Sequence, residues 1–529
     1  ELNHIGPDLD RFYQDITPWL MDHASEEIVE MCQAFRIPAV PVGNGQNLPE
    51  NAQLKARSFY TRDPENQFTQ PGLPYRLQKT PASLRERSPQ LGEHNDALSK
   101  RIWRDESPAR IAGSSTEKES YMPFKGLRVI DWGTFWAGPF VSCYLGAMGA
   151  DVIKLESIQR PDGFRYSMAY PPLGPDWYEQ GGAWQGTNLN KRSLTLNLNS
   201  EEGKQLLGEI LREADVIIEN FSPRVLDNFG FGVERLRELN PKLMIVRMPG
   251  FGLEGPWHNY VGWAMSFEQA CGAAWITGDR DGAPLNPGGF ADPMDGLHML
   301  VALQAALDHR ERTGEAQIIE GAQLEMGACW TAEQVIAFSL SGKVQQRTGN
   351  RSETMAPQGV YQCENSEWIA LSIRDDDDWG RFASAIGSPE WASDSRFTSV
   401  KGRMASHDEI DRHIADWCAG KSADSAIDSI QSAGVPIGKV LTAPNMISDP
   451  HLAARKFYQP MVHATMGERK YPRWPMVQNP GTNGLNISAS PTLGQHNADI
   501  LAGELGLTQA QIDDLTAKEV IGTVPKGLG

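Results

Sequence analysis

Positive charge is in short supply along this 529-residue chain: 49 lysines and arginines against 67 aspartates and glutamates leave a formal net charge of -18. A field of that sign opposes the broad phosphate footprint of a general nucleic-acid binder, yet leaves room for a local basic pocket around one phosphorylated ligand. Cysteine is scarcer still. The six cysteines, Cys32, Cys143, Cys271, Cys329, Cys363 and Cys418, are scattered, with no CxxC pair and no histidine at ligand spacing; no structural zinc and a reducing compartment are expected. No apolar run reaches the roughly 18 residues of a membrane span and no charged-then-apolar leader opens the chain, so a cytoplasmic protein is expected. Also lacking are GxxxxGK[ST], HExxH and GxSxG, and the turn after the first strand, Trp132–Pro139, is not GxGxxG, which disfavours P-loop, nicotinamide, zincin and serine-hydrolase chemistry.

What is present is repetition. Trp19 corresponds to Trp417, Gln33–Val42 (QAFRIPAVPV) to Gln431–Val440 (QSAGVPIGKV), and Leu54–Tyr60 (LKARSFY) to Leu452–Tyr458 (LAARKFY), all at one offset of 398 residues. Four inserted residues later, Pro89–Asn95 (PQLGEHN) recurs as Pro491–Asn497 (PTLGQHN). So long a period excludes a solenoid and implies a duplicated domain. Residues 1–105 therefore read as the end of an incomplete first copy, in a chain that opens on Glu rather than Met. The polar, Ser- and Glu-rich stretch 106–125 reads as a linker.

The second copy alternates strand and helix patterns. Gly126–Gly133, Ala150–Glu156, Arg192–Leu198, Ala214–Asn220 and Leu243–Met248 read as strands, with helices from Ala137 to about Met148 and from Ser200 to Glu213. This is an α/β pattern with a mainly parallel, Rossmann-like, helix-covered sheet, whose ligands sit beyond the carboxyl ends of the strands. Residues 126–344 form the expected large domain, 345–470 a smaller α+β domain and 471–529 a return to the large domain. A long amphipathic helix is expected over Asp295–Arg312, buried through Leu300, Leu303 and Leu307. The Asp375–Asp378 run reads as a solvated loop or helix start, and no metal site is expected there.

One carboxylate has an unusual setting. Asp292 lies in Gly288–Gly296 (GGFADPMDG), a glycine-rich segment leading into that helix. On residue physics alone it is a helix cap, the usual role of such an aspartate.

The pieces GLRVIDWGTFWAGP, GADVIKLES, NLNKRSLTLNL, ADVIIENFSPRVLDNFGFG, PGFG, GGFADPMDGLHML, RTGNR, APQGVY and PTLGQHN, together and in order, resemble the family III coenzyme A transferases over about residues 126–522. Residues 1–105 resemble the last quarter of the same family. The resemblance implies that Asp292 is the nucleophile: it attacks an acyl-CoA thioester, the mixed anhydride is opened by CoA thiolate to an aspartyl-CoA thioester, and an acceptor acid reverses the sequence. It implies backbone N–H donors in the flanking glycine-rich segments for the oxyanions, and interlocked dimers, here reproduced by the two copies or completed by a partner chain. It also implies CoA contacts at Ala137, Lys191, Arg192, Asn220, Phe221 and Arg224. Departures from the family pattern are Trp136, where a glutamine is common, Ser157 and Asn228 at usual arginines, with Arg160 as a substitute cation, and Gly262-Trp263-Ala264 in place of the racemases' Gly-His-Asp.

Seven of the 15 tryptophans fall between residues 132 and 275. Two of them, Trp136 and Trp263, replace polar family positions. An indole face attracts an onium cation by about 0.5–2 kcal/mol, so a cage for a cationic acid is expected. The tandem arrangement is similar to the dimethylsulfoniopropionate CoA-transferase/lyases of the family. That likeness implies transfer of CoA from acetyl-CoA to the sulfonium acid, elimination of dimethyl sulfide, and hydration to 3-hydroxypropionyl-CoA, with Asp292 or Asp295 as base. Alternatives are a carnitine-, betaine- or dicarboxylate-specific CoA transferase, or a non-catalytic acyl-CoA-binding partner. No metal is implied.

Overall fold

Short runs of β-branched and aliphatic residues build the main sheet: β1 (Arg76–Leu77), β2 (Arg128–Asp131), β3 (Asp151–Glu156), β4 (Arg192–Thr195), β5 (Val216–Glu219), β6 (Met244–Arg247) and β7 (Ile318–Glu320). The computed structural model describes residues 7–83, 86–99, 122–169, 174–476 and 486–527; the expected linker lies outside the described residues apart from 122–125. The strand order is β1-β7-β6-β5-β2-β3-β4, parallel throughout except that β1 runs antiparallel to β7. The chain moves outward from β2 through β3 and β4, then returns to place β5 on the other side of β2. The adjacent carboxyl ends of β2 and β5 thus form a topological switch point.

Alternate side chains serve opposite faces of the sheet. Ile130, Ile153, Ile217 and Ile245 pack with Leu207, Ile210 and Leu211 of helix Glu201–Arg212. Val129, Val152, Val216 and Val246 pack with α1 (Ala137–Ala147) and with the 23-residue helix Ala291–Thr313 through Val141, Leu145, Met299, Leu300 and Leu303. The latter helix starts four residues before its expected origin. Pro293 is tolerated in its first turn, where an intrahelical N–H bond is not required, so Asp292 sits inside the helix rather than ahead of it.

Two compact units divide the chain: Glu1–Ala274, Asn286–Gln345 and Gln459–Gly529 form one, Trp275–Leu285 and Gln346–Tyr458 the other. The described residues before the linker are therefore not a separate body. β1 hydrogen-bonds to the edge of the main sheet, and Gln53 donates to the carbonyls of Phe251 (2.5 Å) and Glu254 (2.8 Å) and accepts from Trp257 N–H (2.7 Å). Arg57, buried, pairs with Glu320 (2.8 Å) and Glu325 (2.5 Å). In the large unit's return segment, Gln459 bonds reciprocally with the Asn486 backbone. Residues 459–470 accordingly belong to the large unit rather than the small one.

The repeated segments share one local conformation. Asn51 caps the helix Ala52–Ala56 by accepting from Leu54 N–H, as Asp449 caps Pro450–Ala454 by accepting from Leu452 N–H. Ser58 (φ 52°) and Lys456 (φ 51°) then make the same left-handed step, which returns Phe59 and Phe457 N–H to the Leu54 and Leu452 carbonyls.

In the small unit, β8 (Gln358–Gln362), β9 (Trp368–Ser372) and β10 (Ile437–Lys439) form an antiparallel sheet, backed by helices Asp376–Ala385, His407–Ala419 and Ala423–Gln431. The aspartate run starts a helix. Asp375 caps it, and Asp378 is buried between Arg374 (2.6 Å) and Arg381. Repulsion among the four carboxylates is thus offset by two guanidiniums and a helix N-terminus. Residues 275–285 join this unit: the Arg347 guanidinium donates to the Trp275 carbonyl at 2.7 Å and covers its ring.

Candidate active site

The turn after β2, Trp132–Pro139, is held by side chains from three directions. Asp131 accepts from Gly133 N–H (2.9 Å), and Asp162 accepts from Phe135 N–H with both oxygens at 3.0 Å. Asn220, the residue after β5, clasps the Thr134 peptide, accepting from its N–H and donating to its carbonyl at 2.8 Å each. A Cβ on Gly133 would stand 3.2 Å from Asn220 Oδ1 and 2.9 Å from Pro139. Only a glycine lets the two strand ends close so tightly. Phe221 packs edge-on against Trp132, and Ala137, fully buried, opens α1.

Against α1 lies the helix that carries Asp292. A Cβ on Gly296 would sit 3.2 Å from the Ala137 carbonyl and 3.2 Å from the Phe140 ring, so the missing side chain lets the two helices cross closely beside the turn. Asp292 makes no capping bond: Phe290 is the N-cap residue, and its side chain does not cap the helix. Instead Asp292 Oδ1 accepts from the Gln323 amide, on α2 (Gln323–Trp330). Removal of hydration pushes Asp292 up to about 7, with the Glu268 charge adding to it and the Gln323 amide opposing. Desolvation outweighs both that hydrogen bond and the positive end of a 23-residue helix.

Glu268 organises the glycine-rich approach. Fully buried, it accepts N–H bonds from Gly288 (3.2 Å), Gly289 (3.1 Å) and Ala291 (3.1 Å). Those N–H groups were expected to face a reacting oxyanion. They are committed to Glu268 instead, because a buried carboxylate without a cation needs three donors of its own.

Aromatic rings gather around the same loop. A Cβ on Gly289 would reach Trp136 at 3.4 Å and Ala264 at 3.9 Å. Trp136 meets Phe164 edge-on with centroids 5.8 Å apart, Phe164 meets Phe135 at 5.6 Å, and Phe135 meets Trp263 at 4.9 Å. The structure therefore brings Trp136 and Trp263 together through two phenylalanines. Trp263 keeps 54% of its surface exposed, enough to face a ligand.

The expected CoA cations lie in different settings. Lys191 is buried, and its ammonium faces Asp131 Oδ2, the Pro139 and Thr187 carbonyls and Asn188 Oδ1 at 2.8–2.9 Å. Its three protons are spent inside the protein, so it braces the turn after β2 and has none for a phosphate. Arg192 is bound to Asp151 (2.7 Å) and Glu504 (2.5 Å) at the sheet edge. Arg224 and Arg160 are exposed, and among the described residues no carboxylate pairs with either. Sequence reasoning missed Glu268, Gln323, Phe164 and Asp162, none of which stands in a recognisable local motif, and Phe135, which lies inside GLRVIDWGTFWAGP but carries no chemistry of its own there. Among the described residues no cluster of three His, Cys, Asp or Glu could hold a metal ion, and no helix is long and apolar enough to cross a membrane.

Comparison with known proteins adds the family. The CoA-transferase family III pattern matches residues 3–95 and 124–497. The chain is 32% identical over 403 residues to the succinyl-CoA–L-malate CoA-transferase beta subunit of Chloroflexus aurantiacus, covering 76% of this chain and 98% of that protein. It is 31% identical over 388 residues to the succinate–glutarate CoA-transferase of Agrobacterium fabrum, covering 72% and 95%. A solved CAIB/BAIF family protein from Brucella suis superposes with a TM-score of 0.67 at 30% identity, over 72% of this chain and 99% of that one. The mixed, mainly parallel α/β fold is that of these transferases, and the chain belongs to CoA-transferase family III, enzymes that act on CoA thioesters and carboxylic acids.

Proposed function

We propose that the protein moves CoA from acetyl-CoA to dimethylsulfoniopropionate through an aspartyl-CoA thioester on Asp292, and then eliminates dimethyl sulfide. The observation that carries the substrate is the chain of Phe135, Trp136, Phe164 and Trp263 beside Gly289. Among the described residues no lysine or arginine is stacked on these four rings, and aromatic faces suit a sulfonium cation rather than a second carboxylate. Asp292 as carboxylate attacks the thioester carbonyl, and CoA thiolate opens the anhydride with loss of acetate. The acceptor carboxylate then takes the place of the thiolate and recovers it as its own thioester. In the new thioester the α-proton is acidified; a base removes it, the β-carbon–sulfur bond breaks, and neutral dimethyl sulfide leaves acryloyl-CoA, to which water adds.

With the Gly288, Gly289 and Ala291 N–H groups committed to Glu268, the oxyanion donors in this reading are the N–H groups of the first helical turn of α1, Ala137 and Gly138, which lack intrahelical partners by their position. Arg224 and Arg160, being exposed and without a carboxylate partner among the described residues, are the phosphate cations. Asn220 and Phe221 shape the pantetheine side by fixing the turn. Residues 7–99 are the end of a first copy, a reading supported by the shared caps and left-handed steps of the two segments.

A second reading, transfer to a dicarboxylate with no elimination, is favoured by the two relatives, a succinyl-CoA–L-malate and a succinate–glutarate CoA-transferase. Incubation with acetyl-CoA or succinyl-CoA and a panel of acids, with acyl-CoA masses and headspace dimethyl sulfide followed together, separates the two. Sulfide release weakened at least about tenfold in Trp136→Ala and Trp263→Ala is the expected result; succinate or malate preferred over the sulfonium acid, with both variants unaffected, establishes the second reading.

A further inference from the structure

Asp295, an alternative base for the elimination, is a buried carboxyl to which neither reading gives a part in CoA transfer itself. It lies one turn beyond Asp292 on the same helix, a spacing that puts both side chains on one face. It is 1% exposed, and among the described residues its Oδ2 has no hydrogen-bond partner. The Gln323 amide of α2 donates to Asp292 and lies near enough to Asp295 to favour its charged form, against the larger effects of burial and of the Asp292 charge.

We propose that Asp292 and Asp295 form a carboxyl pair holding a single proton, with Asp295 as the positioning residue that retains it. The inference rests on Asp292 being the nucleophile. On its own helix Asp295 has Asp292 one turn before it and His298 one turn after; from other elements it meets Glu268, on helix Ala264–Ala270, Cys271, which follows that helix, and Cys329, from α2. Burial lowers the His298 pKa and favours its neutral form, so none of these groups is a cation at neutral pH. Burial drives both thiols up to about 12 and therefore keeps them neutral, while burial and the Asp292 charge raise Asp295 well above an ordinary carboxyl. Two carboxyls in such a site do not both ionise at neutral pH. Because the proton stays on Asp295, the single negative charge falls on Asp292, the residue open to substrate. When Asp292 later accepts an α-proton, the pair becomes neutral and gains a buried state without charge. When Asp295 itself ionises, its charge repels the departing and returning CoA thiolate.

The test is the pH profile of adduct formation between Asp292 and CoA, read by intact mass in single turnover with acetyl-CoA. The wild type is expected to show an acid limb near pH 7 and an alkaline limb from the pair's second ionisation. Asp295→Asn and Asp295→Ser are expected to keep the acid limb and lose the alkaline one, and Asp295→Glu to restore it. Either neutral variant suffices should the other fail to fold. An alkaline limb unchanged in the neutral variants overturns the inference while leaving Asp292 as nucleophile; a wild type that forms no adduct removes both.

Discussion

At Asp292 two opposing effects meet, and their balance sets the working pH. The helix N-terminus and the Gln323 amide favour the carboxylate; removal of water favours the acid and prevails, leaving the group near 7. In the proposed reaction the carboxylate is the attacking form, so activity should fall as pH drops through about 7 and recover above it, a profile opposite in slope to one governed by a protonated acid. Asp292→Asn, which keeps the shape and removes the nucleophile, is expected to lower turnover by at least about 10⁴-fold with the thermal transition unchanged or raised. Sulfide or acyl-CoA formation at wild-type rate would sink the assignment. Glu268 acts on the same group through the backbone. Glu268→Gln retains one acceptor oxygen for three N–H groups, and leaving buried donors unpaired costs about 1–3 kcal/mol; calorimetry should register that loss together with a raised KM.

Between elements, the decisive contact is the crossing of α1 with the helix Ala291–Thr313. It is close because Gly296 has no side chain where Ala137 and Phe140 approach. Gly296→Val is expected to destabilise by about 1–3 kcal/mol through overpacking and to reduce kcat more than KM, since it displaces Asp292 from the turn after β2. A normal kcat with normal stability would show that the crossing does not position the carboxylate. This contact was partly legible in advance. The apolar spacing through Leu300 and Leu303 identifies a buried helix, yet it places the start at Asp295, because Asp292-Pro293 resembles a boundary more than a first turn. Asp292 consequently reads as a cap in sequence and is a Gln323-bound side chain in the fold.

For the whole molecule, the stretch before the linker matters because it completes the large unit. Arg57 reaches the Glu320–Glu325 pair, and a Cβ on Gly252 would stand 2.4 Å from its guanidinium. Arg57→Ala leaves half-buried Glu320 without its cation and buried Glu325 with only the more distant Arg76 at 3.6 Å, and is expected to cost about 3–5 kcal/mol in urea denaturation. An unchanged midpoint would mean that this stretch contributes nothing to the stability of the unit. The net charge of -18 has a matching consequence. Binding of a phosphorylated thioester relies on few local cations, so salt should weaken CoA binding only modestly in Arg224→Ala relative to the wild type.

The sequence by itself determined what depends on neighbours along the chain. The alternation of Val and Ile sets the strands and their two faces, the repeat at one offset ties Leu54 to Leu452, and the ordered motifs carry the family and point to Asp292. Tertiary structure decided what depends on groups far apart in sequence. Lys191 became a buried brace because Asp131, 60 residues earlier, lies beneath it. Glu268 took the loop donors 20 to 23 residues ahead of it, and Trp136 and Trp263 were joined through Phe135 and Phe164. Local pattern fixes which face of an element is apolar; protonation, hydrogen-bond ownership and ring contact are settled only when desolvation and partners from other elements converge on one point.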